Sequence, residues 1–232
     1  MSLNKIHKAF FLVSMLTLIG CNSSTAQDIP TLQKQYKQAV QYADGSAATT
    51  ALLALIVKGQ TQYKDTLALV YNRAGMFTQS YLVAKELLEK DPANKKELLE
   101  LQAQNTSQLG ATQDAVGFMD QLLEIDATSS WYHYQKSLLL LNAKKYEACL
   151  ETTNEALAVE DPKQMQLTVE GTLGENITIP VKAELYNIKG LAHYQLKDNE
   201  AAKEAFNKAL ALAPEYKTAS INLQAAGIQQ SE

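Results

Sequence analysis

A regular spacing of small and large apolar residues recurs four times along the chain and constrains its fold more than any other feature. In each copy a small residue precedes a second small residue, and a leucine follows that one, with the same two intervals every time. The four copies are Ala68/Ser80/Leu88, Ala103/Ala115/Leu123, Ser137/Cys149/Leu157 and Gly190/Ala202/Leu210. The last step between copies is longer than the others because it contains an insertion. A period of about 34 residues is typical of stacked helical hairpins, so the spacing predicts an all-α solenoid.

The last copy, residues 183–214, shows most clearly why such a unit would fold as a hairpin. Its pattern predicts two amphipathic helices joined by a tight turn near Lys197. Gly190 and Ala202 are small where the two helices must approach closely, and Phe206 fills the space around them. The unit is therefore predicted to be held together at one narrow contact between its helices.

The ordered small, small, Ala-Leu and terminal Pro214 positions of this copy resemble a tetratricopeptide repeat, or TPR. Weaker copies lie in register at residues 61–95, 96–129 and 130–163, with turns at Gly75, Gly110 and Lys144. The resemblance implies a TPR-like α-solenoid in which the first helix of each repeat lines a face that captures a protein or peptide partner.

The segments between and around the repeats complete the predicted organisation. Residues 165–170 and 176–179 alternate apolar and polar side chains around a glycine-containing loop, which predicts a small β-hairpin insertion. That hairpin should rest either on the solenoid or on a partner. The expected segments are a leader at 1–20, an anchor and tether at 21–30, a degenerate helical hairpin at 31–60, three TPR-like repeats at 61–163, the insertion at 164–182, a TPR repeat at 183–216, and a capping helix and tail at 217–232.

The amino terminus indicates a compartment. Two lysines precede a short apolar run, Ala9 to Ile19, which cannot cross about 30 Å of hydrocarbon and is typical of a signal peptide. The sequence Leu18-Ile-Gly-Cys21 that follows resembles the lipobox of bacterial lipoproteins. The resemblance implies cleavage before Cys21 and lipid attachment to it, and Asn22 favours the outer membrane, facing the periplasm. The alternative is an ordinary secretory leader in which the cysteine occurs by chance.

Charge and motifs exclude several classes of function. Without the two lysines of the leader, 19 basic residues remain against 25 acidic ones, a formal charge of −6 that argues against nucleic-acid binding. The chain has no nucleophile elbow, phosphate-binding loop, metalloprotease motif or dinucleotide fingerprint. His133 and His193 lack partners at metal-ligand spacing, and Cys149 occupies a small-residue position typical of a buried structural thiol. We therefore expect no catalysis, no cofactor and no metal.

Surface side chains on the first helices are the remaining candidates for a site. Aromatic residues with amide neighbours suit peptide capture, because they bury much area at small entropic cost. The TPR resemblance places the following partner-binding candidates on that face: Asn72, Arg73, Gln104, Gln108, Trp131, Tyr134, Asn142, Asn187, Tyr194 and Gln195. Trp131 could instead pack between repeats. Asp65, Glu100 and Tyr134 stand where a carboxylate-binding TPR would need cations, which disfavours that ligand class.

These features together predict a membrane-anchored TPR scaffold or adaptor that binds a protein or peptide partner in the bacterial cell envelope. Outer-membrane assembly and pilus assembly are the settings that the resemblance suggests. Two alternatives remain open, an adaptor that positions a cell-wall enzyme and a lipoprotein that binds a glycan or small ligand. A closed pocket with converging polar groups would favour the ligand, and an open groove would favour a peptide or protein.

Overall fold

The structure is a computed structural model that describes residues 27–90, 95–160 and 165–228. The predicted leader and the proposed lipid-attachment residue Cys21 lie outside the described residues. The chain divides into two compact units, Met1–Leu67 and Ala68–Glu232.

The described part of the first unit is a helical hairpin followed by a single 3-10 turn. Helices α1 (Ile29–Gln41) and α2 (Gly45–Val57) pack against each other, and the 3-10 turn is Thr61–Tyr63. Both helices begin at an aspartate whose side chain accepts a hydrogen bond from a backbone N–H three residues on, at 2.9 Å in each case. The segment predicted as a degenerate hairpin, residues 31–60, therefore folds as a pair of capped helices.

Helical hairpins make up the second unit, and helix α3 (Lys64–Arg73) crosses the boundary between the units. The elements that follow are α4 (Phe77–Lys90), α5 (Lys95–Gln108), α6 (Thr112–Ile125), α7 (Ser130–Asn142), α8 (Tyr146–Ala158), β1 (Gln166–Glu170), β2 (Asn176–Pro180), α9 (Val181–Gln195), α10 (Asn199–Leu212) and α11 (Lys217–Ile228). We call α3, α5, α7 and α9 the first helices of their hairpins. The predicted TPR-like solenoid with a small strand pair is confirmed.

The turn between the two helices of each hairpin has one recurring backbone conformation. Gly75, Gly110, Lys144 and Lys197 all have φ between 59° and 73°, in the left-handed region. In each turn the next N–H donates to the carbonyl five residues before it, at 2.8 to 3.0 Å. This bond ends the first helix and reverses the chain. The turns thus lie at the positions that the sequence predicted.

The recurring small residues mark the crossing points inside the hairpins, as predicted. The Ser80 hydroxyl donates to the Ala68 carbonyl at 2.8 Å, and the Cys149 thiol donates to the Ser137 carbonyl at 3.4 Å. Both bonds join the first to the second helix of one hairpin. Cys149 is fully buried, and burial raises the pKa of its thiol to about 12, as is typical of a cysteine that packs in a core.

At the last crossing point the ring of Phe206 occupies the space that a side chain on residue Gly190 would fill. A Cβ on that glycine would lie 2.5 Å from the ring. The predicted close approach of the two helices at Gly190 is confirmed.

The β-hairpin packs on the solenoid with one face. Its strands pair antiparallel with Leu167 opposite Ile179 and Val169 opposite Ile177. These four side chains pack on a cluster built from α9, α10 and α11 that includes Ala183, Ala213 and Tyr216. A backbone hydrogen bond of 3.0 Å from Thr172 to Glu215 and an ion pair of 2.6 Å between Glu170 and Lys217 fix the hairpin further. The insertion therefore covers the last repeat, while Leu173 at its tip is 93% exposed.

Candidate functional site

A groove of about 470 Å³ lies between the first helices α5 and α7. Its volume falls within the range of about 300–1,000 Å³ that ligand sites occupy. The groove is lined by Glu100, Ala103, Gln104, Ser107, Gln108, Met119, Trp131, Tyr132, Gln135 and Leu139. Three of the predicted partner-binding residues, Gln104, Gln108 and Trp131, therefore lie together.

Trp131 both packs on the core and lines the groove. It is half-buried and lies against a cluster of Leu99, Met119, Leu122 and Tyr132, which joins α5, α6 and α7. Trp131 thus packs on this cluster, and with Met119 and Leu139 it forms an apolar floor of the groove. These contacts anchor the indole in the core.

Helix α5 supplies a polar wall along the groove. Gln104, Ser107 and Gln108 are exposed, and Ser107 and Gln108 lie three and four residues after Gln104, so each neighbours Gln104 on the helix surface. Amide and hydroxyl groups both donate and accept hydrogen bonds, as the backbone of an extended peptide requires. All three side chains of this wall are exposed to solvent.

A single carboxylate lies on the same wall. Glu100 is exposed, and the hydroxyl of the buried Tyr132 donates a hydrogen bond to it. Burial, followed by the bond to Glu100, holds the pKa of Tyr132 well above its usual range. The Tyr132 hydroxyl thus contacts one oxygen of the Glu100 carboxylate from the buried side of the groove.

The other predicted residues lie outside this groove. The ring of Tyr134 is tilted by 43° against that of Trp131, with centroids 5.5 Å apart. Tyr134 also packs on Val181 and Leu185 of the next repeat, and burial raises its pKa. Tyr194 is half-buried against Ala202 and Phe206. Gln195 is exposed, and the Tyr146 hydroxyl donates to its side chain at 3.5 Å.

Three further candidates lie near hairpin turns or between neighbouring first helices. Arg73 and Asn142 are exposed at the last residue of α3 and of α7. Asn72 is half-buried and donates to the side chain of Asn105 at 2.9 Å. The structure therefore distributes these side chains along the unit and does not bring them into the groove.

Asn187 is an internal residue of the last repeat. It is 1% exposed, donates to the Tyr216 hydroxyl at 3.2 Å, and accepts from Asn222 at 2.8 Å. Its amide also donates to Glu184 at 3.3 Å, and burial raises the pKa of that carboxyl. Asn187 links α9 to α11 and is not part of an open surface.

Sequence reasoning missed several groove residues, among them Ser107, Tyr132 and Gln135. Trp131, Gln135 and Leu139 follow one another at intervals of four residues and so share one face of α7. That spacing could have indicated Gln135. Tyr132, one residue out of register, reaches the groove only because its ring lies between α5 and α7.

No group of three or more His, Cys, Asp or Glu side chains in the described residues is placed to hold a metal ion. Among the helices of the described segments, none has both the length and the apolar character needed to cross a bilayer.

Comparison with known proteins bears on the fold. Residues 183–216 match the family model of the tetratricopeptide repeat. No curated protein sequence matches the chain.

Solved structures of TPR proteins align with most of the chain. "YrrB: a TPR protein with an unusual peptide-binding site" has a TM-score of 0.59 at 14% identity, covering 84% of this chain and 91% of its own. A MamA protein has a TM-score of 0.61 at 12% identity, covering 79% and 90%. The MamA 41-end form from Desulfovibrio magneticus RS-1 has a TM-score of 0.57 at 22% identity, covering 73% and 84%. At these low sequence identities, the structural similarity shows a shared fold.

Proposed function

We propose that this chain, a tetratricopeptide-repeat protein, is a scaffold that binds a protein or peptide segment in the groove between α5 and α7. One observation carries the proposal: an anchored apolar floor containing Trp131 faces an exposed wall of amide side chains on a first helix. The aromatic floor supplies buried area, and the wall supplies hydrogen bonds to a peptide backbone.

The fold supports the same function. The solved structure of YrrB is described as that of a TPR protein with an unusual peptide-binding site, and its fold is shared over 84% of this chain. Repeat solenoids present long surfaces that suit extended partners. A peptide segment of a protein is therefore the partner class that we propose.

The exposed polar wall of the groove favours a peptide over a glycan or small ligand. A glycan or small ligand is best held by a concave site in which a few polar groups converge on it. Here the polar groups Gln104, Ser107 and Gln108 are exposed along one helix face. An adaptor that positions a cell-wall enzyme would use the same groove, because its partner is also a protein.

We further propose that the scaffold works in the bacterial cell envelope. The proposal is supported by the short apolar leader and by the Leu18-Ile-Gly-Cys21 sequence, which resembles a lipobox. Lipid on Cys21 would tether the scaffold to a membrane, with the outer membrane facing the periplasm as the favoured site. Assembly of outer-membrane proteins or pili is the favoured setting. We propose no catalytic activity for the scaffold.

Replacement of groove amides tests the binding site directly. The probe is an array of nine-residue peptides, acetylated and amidated, with binding followed by fluorescence of Trp131, the only tryptophan of the chain. Gln104→Ala should weaken the peptides that bind about threefold to tenfold, as expected for loss of one hydrogen bond. The melting temperature should stay nearly constant, since Gln104 is exposed.

Gln79→Ala, an exposed glutamine on α4 outside the groove, is the matched control and should bind as the unmodified protein does. The proposal is wrong if no peptide changes the fluorescence of Trp131, or if Gln104→Ala and Gln79→Ala bind equally well. Trp131→Ala would be a less informative variant than Gln104→Ala, because Trp131 also packs on the core and its loss would affect stability as well as binding.

A further inference from the structure

The lining of the groove carries a negative charge. Of its ten lining residues only Glu100 is charged at neutral pH, and no lysine, arginine or histidine is among them. The remaining polar groups are amides and hydroxyls, which carry no net charge. The lining is therefore anionic.

Residues around Glu100 also carry charge. Glu97, one turn earlier on α5, is exposed, and Asp126 is close enough to Tyr132 to raise its pKa together with the two glutamates. The ammonium group of Lys96 lies over the Tyr132 ring, 5.5 Å from its centroid. Glu97 and Asp126 thus add to the negative potential that Glu100 creates at Tyr132, and the ammonium group of Lys96 lies over the same ring.

Glu100 retains acceptor capacity for a ligand. A carboxylate offers about four acceptor positions, of which the Tyr132 hydroxyl takes one. The exposed remainder can accept from a guanidinium group, which binds carboxylates through two parallel hydrogen bonds. Guanidinium groups also stack on aromatic rings, and Trp131 and Tyr132 line the same groove.

We propose that the groove between α5 and α7 takes an internal peptide segment carrying a basic side chain, with arginine preferred, that pairs with Glu100. A neighbouring apolar side chain of the segment packs on Trp131, Met119 and Leu139. The groove does not take a free carboxy terminus, because a ligand carboxylate would face Glu100 with no cation in the lining to receive it. This inference rests on the proposed function and names the partner chemistry of the same site.

Matched peptides test the inference. We would synthesise acetylated, amidated nine-residue peptides with leucine beside a central arginine, lysine, citrulline or glutamate, and titrate each while recording Trp131 fluorescence. Citrulline keeps the shape of arginine but removes its charge. The arginine peptide should bind most tightly, the citrulline peptide about tenfold more weakly, and the glutamate peptide weakest. The arginine preference should shrink as salt is raised.

Glu100→Gln is the decisive variant. Its amide oxygen still accepts from Tyr132, so the fold should be kept, while the charge is lost. The variant should bind the arginine and citrulline peptides equally, whereas Glu124→Gln, an exposed acid on α6 outside the lining, should keep the full preference.

Two outcomes would overturn the inference, and they are distinguishable. If glutamate, citrulline and arginine peptides all bind equally, or if a free carboxy terminus improves affinity, the proposed charge selection is wrong while groove binding stands. If neither these peptides nor any in the wider array alters Trp131 fluorescence, the proposed function has failed and the inference fails with it.

Discussion

At the scale of single residues, the small positions of this chain set the distance between paired helices. Ala68, Ala103, Ser137 and Gly190 are all buried, and each lies at the place where the second helix crosses. Gly190 is the extreme case because the Phe206 ring fills the space beside it. The large residue and the small one are thus one packing unit.

Gly190→Ala should destabilise the protein despite the higher helix propensity of alanine. The added methyl group would lie 2.5 Å from the Phe206 ring, which is itself 1% exposed and has little room to move. Overpacking of this kind costs about 1–3 kcal/mol, measurable by urea unfolding.

Gly117→Ala is the matched control for that substitution. Gly117 lies inside α6, and a Cβ there would meet nothing within 4 Å. This variant should gain up to about 1 kcal/mol, because glycine is a poor helix former. Equal stability of the two variants would show that the crossing at Gly190 is looser than the structure indicates.

At the scale of elements, the β-hairpin is part of the packing of the last repeat. The sequence predicted its alternation and left open whether it would rest on the solenoid or on a partner. Its apolar face meets α9, α10 and α11, so the solenoid itself supplies the surface that a two-stranded sheet needs. The polar face, with Thr168 and Thr178 opposite each other, is exposed.

Ile179→Ala should therefore lower the free energy of unfolding by about 2–5 kcal/mol, the usual cost of deleting a buried aliphatic side chain. Ile179 is 1% exposed and lies in the cluster that the hairpin shares with the last repeat. The neighbouring Thr178→Ala, on the exposed face of the same strand, is the control and should cost much less. Should both variants unfold at the same urea concentration, the hairpin would be an appendage and not part of the core.

At the scale of the whole molecule, the second unit is built from neighbour-to-neighbour contacts. Within it, α5 packs on α6, α6 on α7, α7 on α8, α9 on α10, and α10 on α11. Helix α9 contacts both α7 and α8, so the repeat that follows the insertion still stacks on the one before it. The recurring spacing of apolar residues is explained by this arrangement, because each hairpin buries its apolar faces on its neighbours.

The proposed lipid anchor belongs to the same scale, because it decides where the whole solenoid acts. If Cys21 is lipidated as proposed, Cys21→Ala should move the protein from the membrane fraction to the soluble fraction of a bacterial expression host, since several acyl chains together give stable attachment. Cys149→Ala is the control, because alanine occupies the equivalent position in two other repeats. It should leave the distribution unchanged. A Cys21→Ala protein that still sediments with membranes would contradict the proposed lipidation.

The sequence by itself determined the helical hairpins, their turns and their crossing points. These features are local: a small residue, a turn and a second small residue all fall within one unit of about 34 residues. The resemblance to a tetratricopeptide repeat placed Gln104, Gln108 and Trp131 among ten candidates on the first helices, since residues one turn apart share a face of a helix.

Only the tertiary structure decided which of those candidates lie together. Asn187 follows the same spacing rule, yet α11 packs over it and its amide is satisfied by Tyr216 and Asn222. Tyr132 lay out of register, yet it reaches the groove between α5 and α7 and contacts Glu100. The physical reason is that the sequence period decides which face of a helix a residue lies on. Whether that side chain is exposed depends on how the next helix is shifted and rotated where it packs on that face. That packing is set by contacts between side chains distant in sequence, which no spacing within one repeat records.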